Sequence, residues 1–178
     1  ESSTRTRFSF EAAAKRLGAE CISTESARQF SSASKGETLA DTVRIVSGYV
    51  DAIVLRYDQT GGAQEAAAYA SVPIINAGDG AHEHPSQGLL DMLTMKDKFG
   101  RLDGLKVAIV GDITHSRVAR SNVWLLHTLG AEVTVVAPLI RNYGKGQARF
   151  ITARYHGWRL PNCAQGFSGR IRCSLLGP

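Results

Sequence analysis

The feature that most constrains the fold is a regular alternation of short apolar runs and helical patterns over the first 138 residues. Continuous apolar strands separated by amphipathic helices are typical of a parallel sheet with helices on both faces. We therefore predict an α/β fold whose ligand-binding loops leave the carboxyl ends of strands. The predicted strands are Glu20–Ser23, Ala52–Leu55, Val72–Asn76, Val107–Val110 and Val133–Val136, and the predicted helices between them are Glu37–Tyr49, Ala63–Ala70, Pro85–Phe99 and Arg117–Leu129.

Composition excludes several classes of protein. The 178 residues are 43% hydrophobic and 21% charged, as in ordinary globular domains. Apolar runs stay well short of the roughly 20 residues of a membrane span, and no signal-peptide pattern opens the sequence. The spacing of Cys21, Cys163 and Cys173 does not fit a metal site or a disulfide framework. We predict a cytoplasmic protein without membrane association.

The charge is divided unevenly along the chain. Residues 1–132 contain 14 basic and 16 acidic residues, whereas residues 133–178 contain seven basic residues and no acid. A basic tail can bind nucleic acid, but this one carries no recognisable module or strong basic cluster, so nucleic-acid binding is not predicted. The shift near Pro138 marks a boundary, and Gly100, Asp103 and Gly104 mark a domain junction further upstream.

The run Ser-Thr-Arg-Thr-Arg at residues 3–7 immediately precedes a helical pattern that Gly18 is placed to end. Free backbone N–H groups and the positive end of the helix dipole favour an anion at such a position. For a single serine or threonine, an ordinary helix cap is the better interpretation. Five hydroxyl and guanidinium residues in succession instead predict a phosphate site formed by Ser3, Thr4, Arg5 and Thr6.

Two further loops carry candidate cations. Lys35 is the single cation of a loop of small hydroxyl residues, which is predicted to be mobile. Taken alone, a lysine in such a loop is usually solvated. Arg56 ends the apolar strand Ala52–Leu55, at the sheet edge where α/β proteins bind ligands, and a ligand-binding role and a simple surface position are equally consistent with this placement.

The segment 76–87 follows a strand and leads into a helix. Pro85 suits the first helical position, so we predict that His84 lies beside the positive helix end as a neutral hydrogen-bond donor to a carbonyl group. Gln87 is one turn along and is predicted to reach the same ligand. His82 and His84 lack the further ligands that a zinc site needs, so no metal is predicted.

The loop 111–116 has the placement of a dinucleotide-binding turn but lacks the Gly-x-Gly-x-x-Gly pattern, so no nucleotide cofactor is predicted. Arg117 opens the following helix and is a candidate carboxylate-binding group.

Four motifs together resemble the catalytic chains of aspartate carbamoyltransferase. They occur in the family's order over about residues 1–138: Ser-Thr-Arg-Thr-Arg-Phe-Ser-Phe-Glu, Lys-Gly-Glu-Thr-Leu-x-Asp-Thr, Asn-Ala-Gly-Asp-Gly-x-x-x-His-Pro-x-Gln and Gly-Asp-Ile-x-His-Ser-Arg-Val-Ala-Arg-Ser-Asn. The resemblance implies transfer of the carbamoyl group of carbamoyl phosphate to L-aspartate in pyrimidine synthesis, without metal or cofactor. The domains it implies are a carbamoyl-phosphate domain at 1–100 that lacks the family's N-terminal strand and helix, and the start of an aspartate domain at 101–138.

The resemblance also implies the roles of the candidate residues and the assembly. Family members form homotrimers, with regulatory or other pathway subunits as further candidate partners, and the loop bearing Ser31 and Lys35 enters the neighbour's site. The implied carbamoyl-phosphate ligands are Ser3, Thr4, Arg5, Thr6, Arg56, His84 and Gln87, the aspartate ligands are Lys35 and Arg117, and the catalytic groups are Arg5, Lys35, Arg56 and His84.

The tail at 139–178 departs from the family. It lacks the Arg-x-Gln motif for aspartate and the His-Pro-x-Pro loop, and we interpret it as frame-shifted or disordered, with genuine divergence as the alternative. We therefore expect this chain as written to be a catalytically impaired fragment. Two alternatives remain, a non-catalytic phosphate-binding or assembly homologue and ornithine carbamoyltransferase, which shares the first motif and His-Pro-x-Gln.

Overall fold

The computed structural model describes residues 3–24, 36–138, 150–154 and 173–174, with side chains described for 3–24 and 36–137. The chain divides into two compact units, residues 1–86 and 87–178, and the boundary predicted near residue 100 stays a prediction. The elements in the described ranges are α1 (Thr4–Arg16), α2 (Leu39–Val46), β1 (Ile53–Tyr57), α3 (Gly62–Tyr69), β2 (Ile74–Asp79), α4 (Pro85–Phe99), β3 (Lys106–Val110), α5 (Arg117–Thr128), β4 (Glu132–Pro138), β5 (Phe150–Arg154) and β6 (Cys173–Ser174).

The first unit is built on a parallel pair of strands. β1 pairs with β2 from Ile53 opposite Ile74 onward, and α3 packs against both strands while α2 packs against α3. Among the described residues of this unit, the buried apolar ones are Val43, Ala66 and Ala77. The other face of the strands leaves Val54 and Ile75 44% and 42% exposed. Helical cover of this sheet is therefore uneven between its two faces.

The second unit contains a mixed four-stranded sheet in the order β3-β4-β5-β6. β3 and β4 are parallel, whereas β5 and β6 join by antiparallel pairing. α5 packs against β4, and the core of the unit consists of Met92, Val123, Leu126, Ala131 and Val133. β3 alternates between half-buried and exposed positions, with Val110 68% exposed, so this sheet also has one less covered face.

The helix ends follow the sequence closely. Gly18 has φ +81°, and the N–H groups of Gly18 and Ala19 donate to the carbonyls of Lys15 and Ala14 at 3.1 and 2.9 Å, which closes α1 with a left-handed residue as predicted. Thr38 begins α2 by accepting from the Asp41 N–H at 3.2 Å and donating to its carboxylate at 2.7 Å. This hydroxyl donor lowers the pKa of Asp41.

The predicted α/β class with parallel strands is confirmed, but the strand predicted at Glu20–Ser23 is wrong. Residues 19–24 form no helix or strand and are exposed, with Ile22 81% exposed. A strand needs a paired neighbour or a buried face to offset the entropy of ordering its backbone, and this run has neither among the described residues. Conversely, β5 lies inside the tail segment predicted at 139–178, where no strand was predicted; most of that segment falls outside the described residues.

Candidate anion-binding site

The first turn of α1 has no side-chain cap and is the candidate position for an anion. Ser3 occupies the N-cap position with extended backbone, φ −158° and ψ 96°, but its side chain does not cap the helix. Its hydroxyl instead lies 2.9 Å from the Thr6 hydroxyl. The first N–H groups of a helix have no acceptor within the helix, and no acidic residue occupies this turn. A negatively charged ligand would therefore meet both N–H donors and the positive end of the helix dipole.

Arg56 connects this helix end to the loop that precedes α4. Its Nη1 donates to the Thr6 hydroxyl at 3.2 Å and lies 3.5 Å from Nε2 of His84. Residues far apart in sequence thus converge at one place in the first unit: the start of α1, the end of β1 and the residue before Pro85. This arrangement combines a fixed cation, a hydroxyl and an imidazole around one point.

An irregularity in the sheet occurs at the position of Arg56. Leu55 pairs with Asn76 and Tyr57 with Asp79, so β2 contains one more residue than β1 between these pairs. Gly78, which lies in the longer stretch, has φ +132°, a conformation that other residues rarely adopt. Bulges of this kind redirect side chains at the ends of strands and are common beside binding sites.

Two neighbours of His84 bear on which of its ring nitrogens can donate a hydrogen bond. A guanidinium can only donate, so Nε2 of His84 is the acceptor when it pairs with Arg56. The other ring nitrogen, Nδ1, lies 3.3 Å from the hydroxyl of Ser86, which can either accept or donate. If a ligand oxygen takes the hydrogen bond of Arg56, the ring can place its proton on Nε2 while Ser86 donates to Nδ1. Both Arg56 and His84 would then donate to the same oxygen.

Asp79 fixes the turn that leads to His84. Its side chain is 6% exposed, and its carboxylate accepts from the N–H groups of Gly61 and Ala63 at 3.0 and 3.4 Å, at the start of α3. The N–H of Asp79 donates to the Glu83 carbonyl at 3.0 Å, which closes the turn. A buried carboxylate at a helix N-terminus is favoured by the dipole and by these donors. Asp79 therefore attaches the turn to α3.

Gly80 allows two loops to touch. It has φ +51°, and a Cβ atom here would lie 2.6 Å from the backbone nitrogen of Thr60 and 2.7 Å from the carbonyl carbon of Gln59. Its N–H donates to the Tyr57 carbonyl at 2.9 Å. Any side chain at this position would push the turn before His84 away from the end of β1.

His82 lies near two carboxylates rather than in a metal cluster. Its Nδ1 is 3.6 Å from Asp79 and its Nε2 is 4.0 Å from Glu83. Within residues 3–24 and 36–137, no three His, Cys, Asp or Glu side chains are grouped so that they could hold a metal ion.

The second unit places Arg117 at the first position of α5, as predicted. Ser116 caps this helix by accepting from the Ala119 N–H at 3.2 Å. Two contacts hold the loop before α5. Arg120 donates to the Thr114 carbonyl at 2.7 Å, and His115 donates to the Asp112 carboxylate at 2.8 Å. The hydrogen bond from His115 lowers the pKa of Asp112. These contacts fix the conformation of the loop before α5. Arg117, the first residue of that helix, is half-buried.

The predicted site residues thus fall into three groups. Ser3, Thr6, Arg56 and His84 are brought together, and Thr4 and Arg5 are exposed on the same first turn of α1. Gln87 and Arg117 belong to the second unit, where Gln87 donates to Asp91 at 2.9 Å. Ser31 and Lys35 lie outside the described residues. Asp79 and Ser86 are not among the predicted site residues, although a hydroxyl two residues after His84 is a usable signal in the sequence.

Comparison with known proteins identifies similar chains. The family model of the aspartate/ornithine carbamoyltransferase carbamoyl-P binding domain matches residues 1–97. The chain is 60% identical over 139 residues to the aspartate carbamoyltransferase catalytic subunit of Geotalea uraniireducens, covering 78% of this chain and 44% of that protein. It is 58% identical over 126 residues to the chloroplastic aspartate carbamoyltransferase of Arabidopsis thaliana, covering 71% of this chain and 32% of that protein. The chain therefore spans less than half the length of these relatives.

Solved structures show the same similarity. The catalytic subunit of M. jannaschii aspartate transcarbamoylase matches with a TM-score of 0.72 and 48% identity, over 82% of this chain and 47% of that one. Aspartate transcarbamoylase from Trypanosoma cruzi, in complex with carbamoyl phosphate and aspartate, matches with a TM-score of 0.69 and 41% identity. The match covers 75% of this chain and 42% of that one.

Proposed function

Since this chain belongs to the aspartate/ornithine carbamoyltransferase family, we propose that it supplies the carbamoyl-phosphate site of an aspartate carbamoyltransferase. The proposed reaction joins the carbamoyl group of carbamoyl phosphate to the amino group of L-aspartate, giving N-carbamoyl-L-aspartate and phosphate in pyrimidine synthesis. The observation that carries this proposal is the contact of Arg56 with both Thr6 and His84 beside the open end of α1.

The geometry supports specific roles in this reaction. The first turn of α1, with Ser3, Thr4, Arg5 and Thr6, binds the phosphate group. Attack by the amine places negative charge on the carbamoyl oxygen, where Arg56 and His84 donate. Loss of one such donor typically costs about 3 kcal/mol of barrier, roughly a hundredfold in rate. The departing phosphate accepts the amine proton, so these groups need no separate base.

The remaining roles rest on the family resemblance. Gln87 binds the carbamoyl nitrogen, and Lys35 and Arg117 bind the aspartate carboxylates. The working species is a homotrimer in which the loop of Ser31 and Lys35 serves the neighbouring site. A cytoplasmic location stays a prediction, and some relatives are chloroplastic proteins. Among the described residues, no helix has the length and apolar character needed to cross a bilayer.

The relatives favour aspartate over ornithine as the second substrate. Each relative named above is an aspartate carbamoyltransferase, and the complete set of phosphate-directed residues argues against a non-catalytic homologue. Carbamoyl transfer by the full-length gene product should require aspartate and give no product with ornithine. His84→Ala should lower the rate roughly a hundredfold, whereas His127→Ala, on the exposed last turn of α5, should leave it unchanged. Transfer to ornithine, or an equal effect of both variants, would contradict the proposal.

A further inference from the structure

Asp91 lies at the centre of a polar contact between α4 and α5. Its Oδ1 accepts from the side-chain amide nitrogen of Gln87 at 2.9 Å, and its Oδ2 accepts from that of Asn122 at 2.6 Å. Gln87 and Asp91 are four residues apart on α4 and therefore share one face of the helix. Asn122 reaches the same carboxylate from α5. All three side chains are half-buried.

A close approach of the two helices makes this contact geometrically feasible. Gly88 is buried, and a Cβ atom there would lie 2.5 Å from Leu125 Cδ1 and 3.2 Å from Asn122 Oδ1. Gly88 lies between Gln87 and Asp91 in sequence, so the absence of a side chain lets α5 bring Asn122 against this part of α4.

The chemistry of the three groups sets the orientation of the Gln87 amide. An ionised carboxylate accepts hydrogen bonds and donates none, so Gln87 and Asn122 must turn their NH₂ groups toward Asp91. The oxygen of the Gln87 amide consequently faces away from Asp91 and is the end that a ligand can meet. Without Asp91, either end of the amide could face a ligand.

We propose that Asp91, held by Asn122, is a positioning residue that presents the oxygen of Gln87 to the carbamoyl nitrogen and so selects an NH₂ group over a methyl group. This inference rests on the proposed function, in which Gln87 meets that nitrogen. The carbamoyl NH₂ is a pure donor and needs an acceptor. The site thereby distinguishes carbamoyl phosphate from acyl phosphates of the same shape.

Two phosphonates that differ at one group test this selection by calorimetry on the 178-residue chain. Phosphonoacetamide carries the NH₂ group, and acetonylphosphonate carries a methyl group in its place. The wild-type chain should bind phosphonoacetamide about tenfold more tightly than acetonylphosphonate. The NH₂ group makes a hydrogen bond that the methyl group cannot make, and the methyl group leaves the Gln87 oxygen without a partner. Asp91→Ala should reduce this preference to about twofold or less without changing the affinity for acetonylphosphonate.

Three further variants separate positioning from general stability. Asp91→Asn should keep most of the preference, because its oxygen can accept from Gln87 and, once the Asn122 amide turns over, its NH₂ can donate to the Asn122 oxygen. In the wild-type chain that oxygen is buried without a hydrogen-bond partner. Gln87→Ala should lose the preference, and Asp91→Ala should add no further loss in that background. Asn122→Ala, a test that stands even if Asp91→Ala fails to fold, should show a smaller loss of the same preference. Thermal unfolding of each variant checks that the fold is retained.

The outcomes are distinguishable. An unchanged preference in Asp91→Ala or Asn122→Ala, or an equal loss of affinity for both phosphonates, would overturn the positioning role. Binding of both phosphonates with equal affinity by the wild-type chain would overturn the selection while leaving the proposed phosphate site intact. Binding of neither would overturn the proposed function together with this inference.

Discussion

At the scale of single residues, Arg56 and Ser86 both influence the hydrogen bonding of the His84 ring. Arg56 requires an acceptor at Nε2, and Ser86 accommodates either proton position at Nδ1. A hydroxyl that can both donate and accept lets the ring change tautomer when a ligand oxygen arrives. Ser86 is therefore expected to matter for ligand binding although it is not a predicted ligand.

Ser86→Ala should weaken binding of carbamoyl phosphate about three- to tenfold, because His84 loses the partner that supports its donor tautomer. Thr94→Ala is the matched control, since it removes a hydroxyl from the same helix, one that donates to the Leu90 carbonyl at 2.9 Å. Calorimetry measures both affinities, and nitrogen NMR of the imidazole reports its tautomer. Equal affinities in the two variants would contradict a role for Ser86.

At the scale of elements, the turn at residues 79–83 places His84 relative to β1. Asp79 holds this turn through the first N–H groups of α3, and Gly80 lets it pack on the loop after β1. The Gly-Asp-Gly motif therefore acts through backbone geometry and helix capping. Its effect on the ligand is exerted through the position of His84.

Asp79→Ala should lower the free energy of unfolding by about 1–2 kcal/mol, the usual range for losing a helix cap. It should also weaken carbamoyl phosphate binding, because the turn is released from α3. Asp51→Ala removes an exposed carboxylate from the same unit and should change the stability by less than about 0.5 kcal/mol. Denaturant unfolding and calorimetry give the two readouts, and a stable Asp79→Ala variant with full affinity would refute this role.

Local sequence patterns predict the helices and strands well, but they predict less well which distant residues these elements contact. α4 has the predicted bounds Pro85–Phe99, because proline at its start and an amphipathic run define it locally. β5 was missed because its antiparallel pairing with β4 depends on distant residues rather than on its own pattern. For the same reason Arg56 and His84 could be proposed from their positions, whereas Asp79, Asp91 and Asn122 act through contacts that no local spacing reveals.

At the scale of the whole molecule, the predicted ligands of both substrates are divided between the two units. The chain spans less than half the length of the relatives named above, and neither unit carries the predicted ligands of one substrate alone. The carbamoyl-phosphate residues Thr6, Arg56 and His84 are in the first unit, whereas Gln87, which is predicted to bind the carbamoyl nitrogen, is in the second unit with the aspartate residue Arg117. The loop of Lys35 is predicted to act on a neighbouring copy.

Shared sites make a specific prediction for mixed oligomers. Full-length Lys35→Ala and His84→Ala proteins should each be nearly inactive, because each lacks one predicted catalytic group in every site. After subunit exchange, some sites would combine an intact His84 with an intact neighbouring Lys35, and partial activity should return. A steady-state assay of the mixture measures this recovery. Absence of recovery after exchange has been verified by mass would argue against a shared site.

We propose that the first turn of α1 and Arg56 bind the phosphate and carbamoyl groups of carbamoyl phosphate, and every other proposed role depends on this binding. The most direct measurement is calorimetric titration of the chain with carbamoyl phosphate, and with inorganic phosphate for comparison. Arg5→Ala and Arg56→Ala should each weaken carbamoyl phosphate binding about ten- to a hundredfold, the range for losing a charged hydrogen bond. Arg16→Ala removes the same charge from the exposed last turn of α1 and should leave the affinity within about twofold. Unchanged affinity in Arg56→Ala, or an equal loss in Arg16→Ala, would contradict the claim.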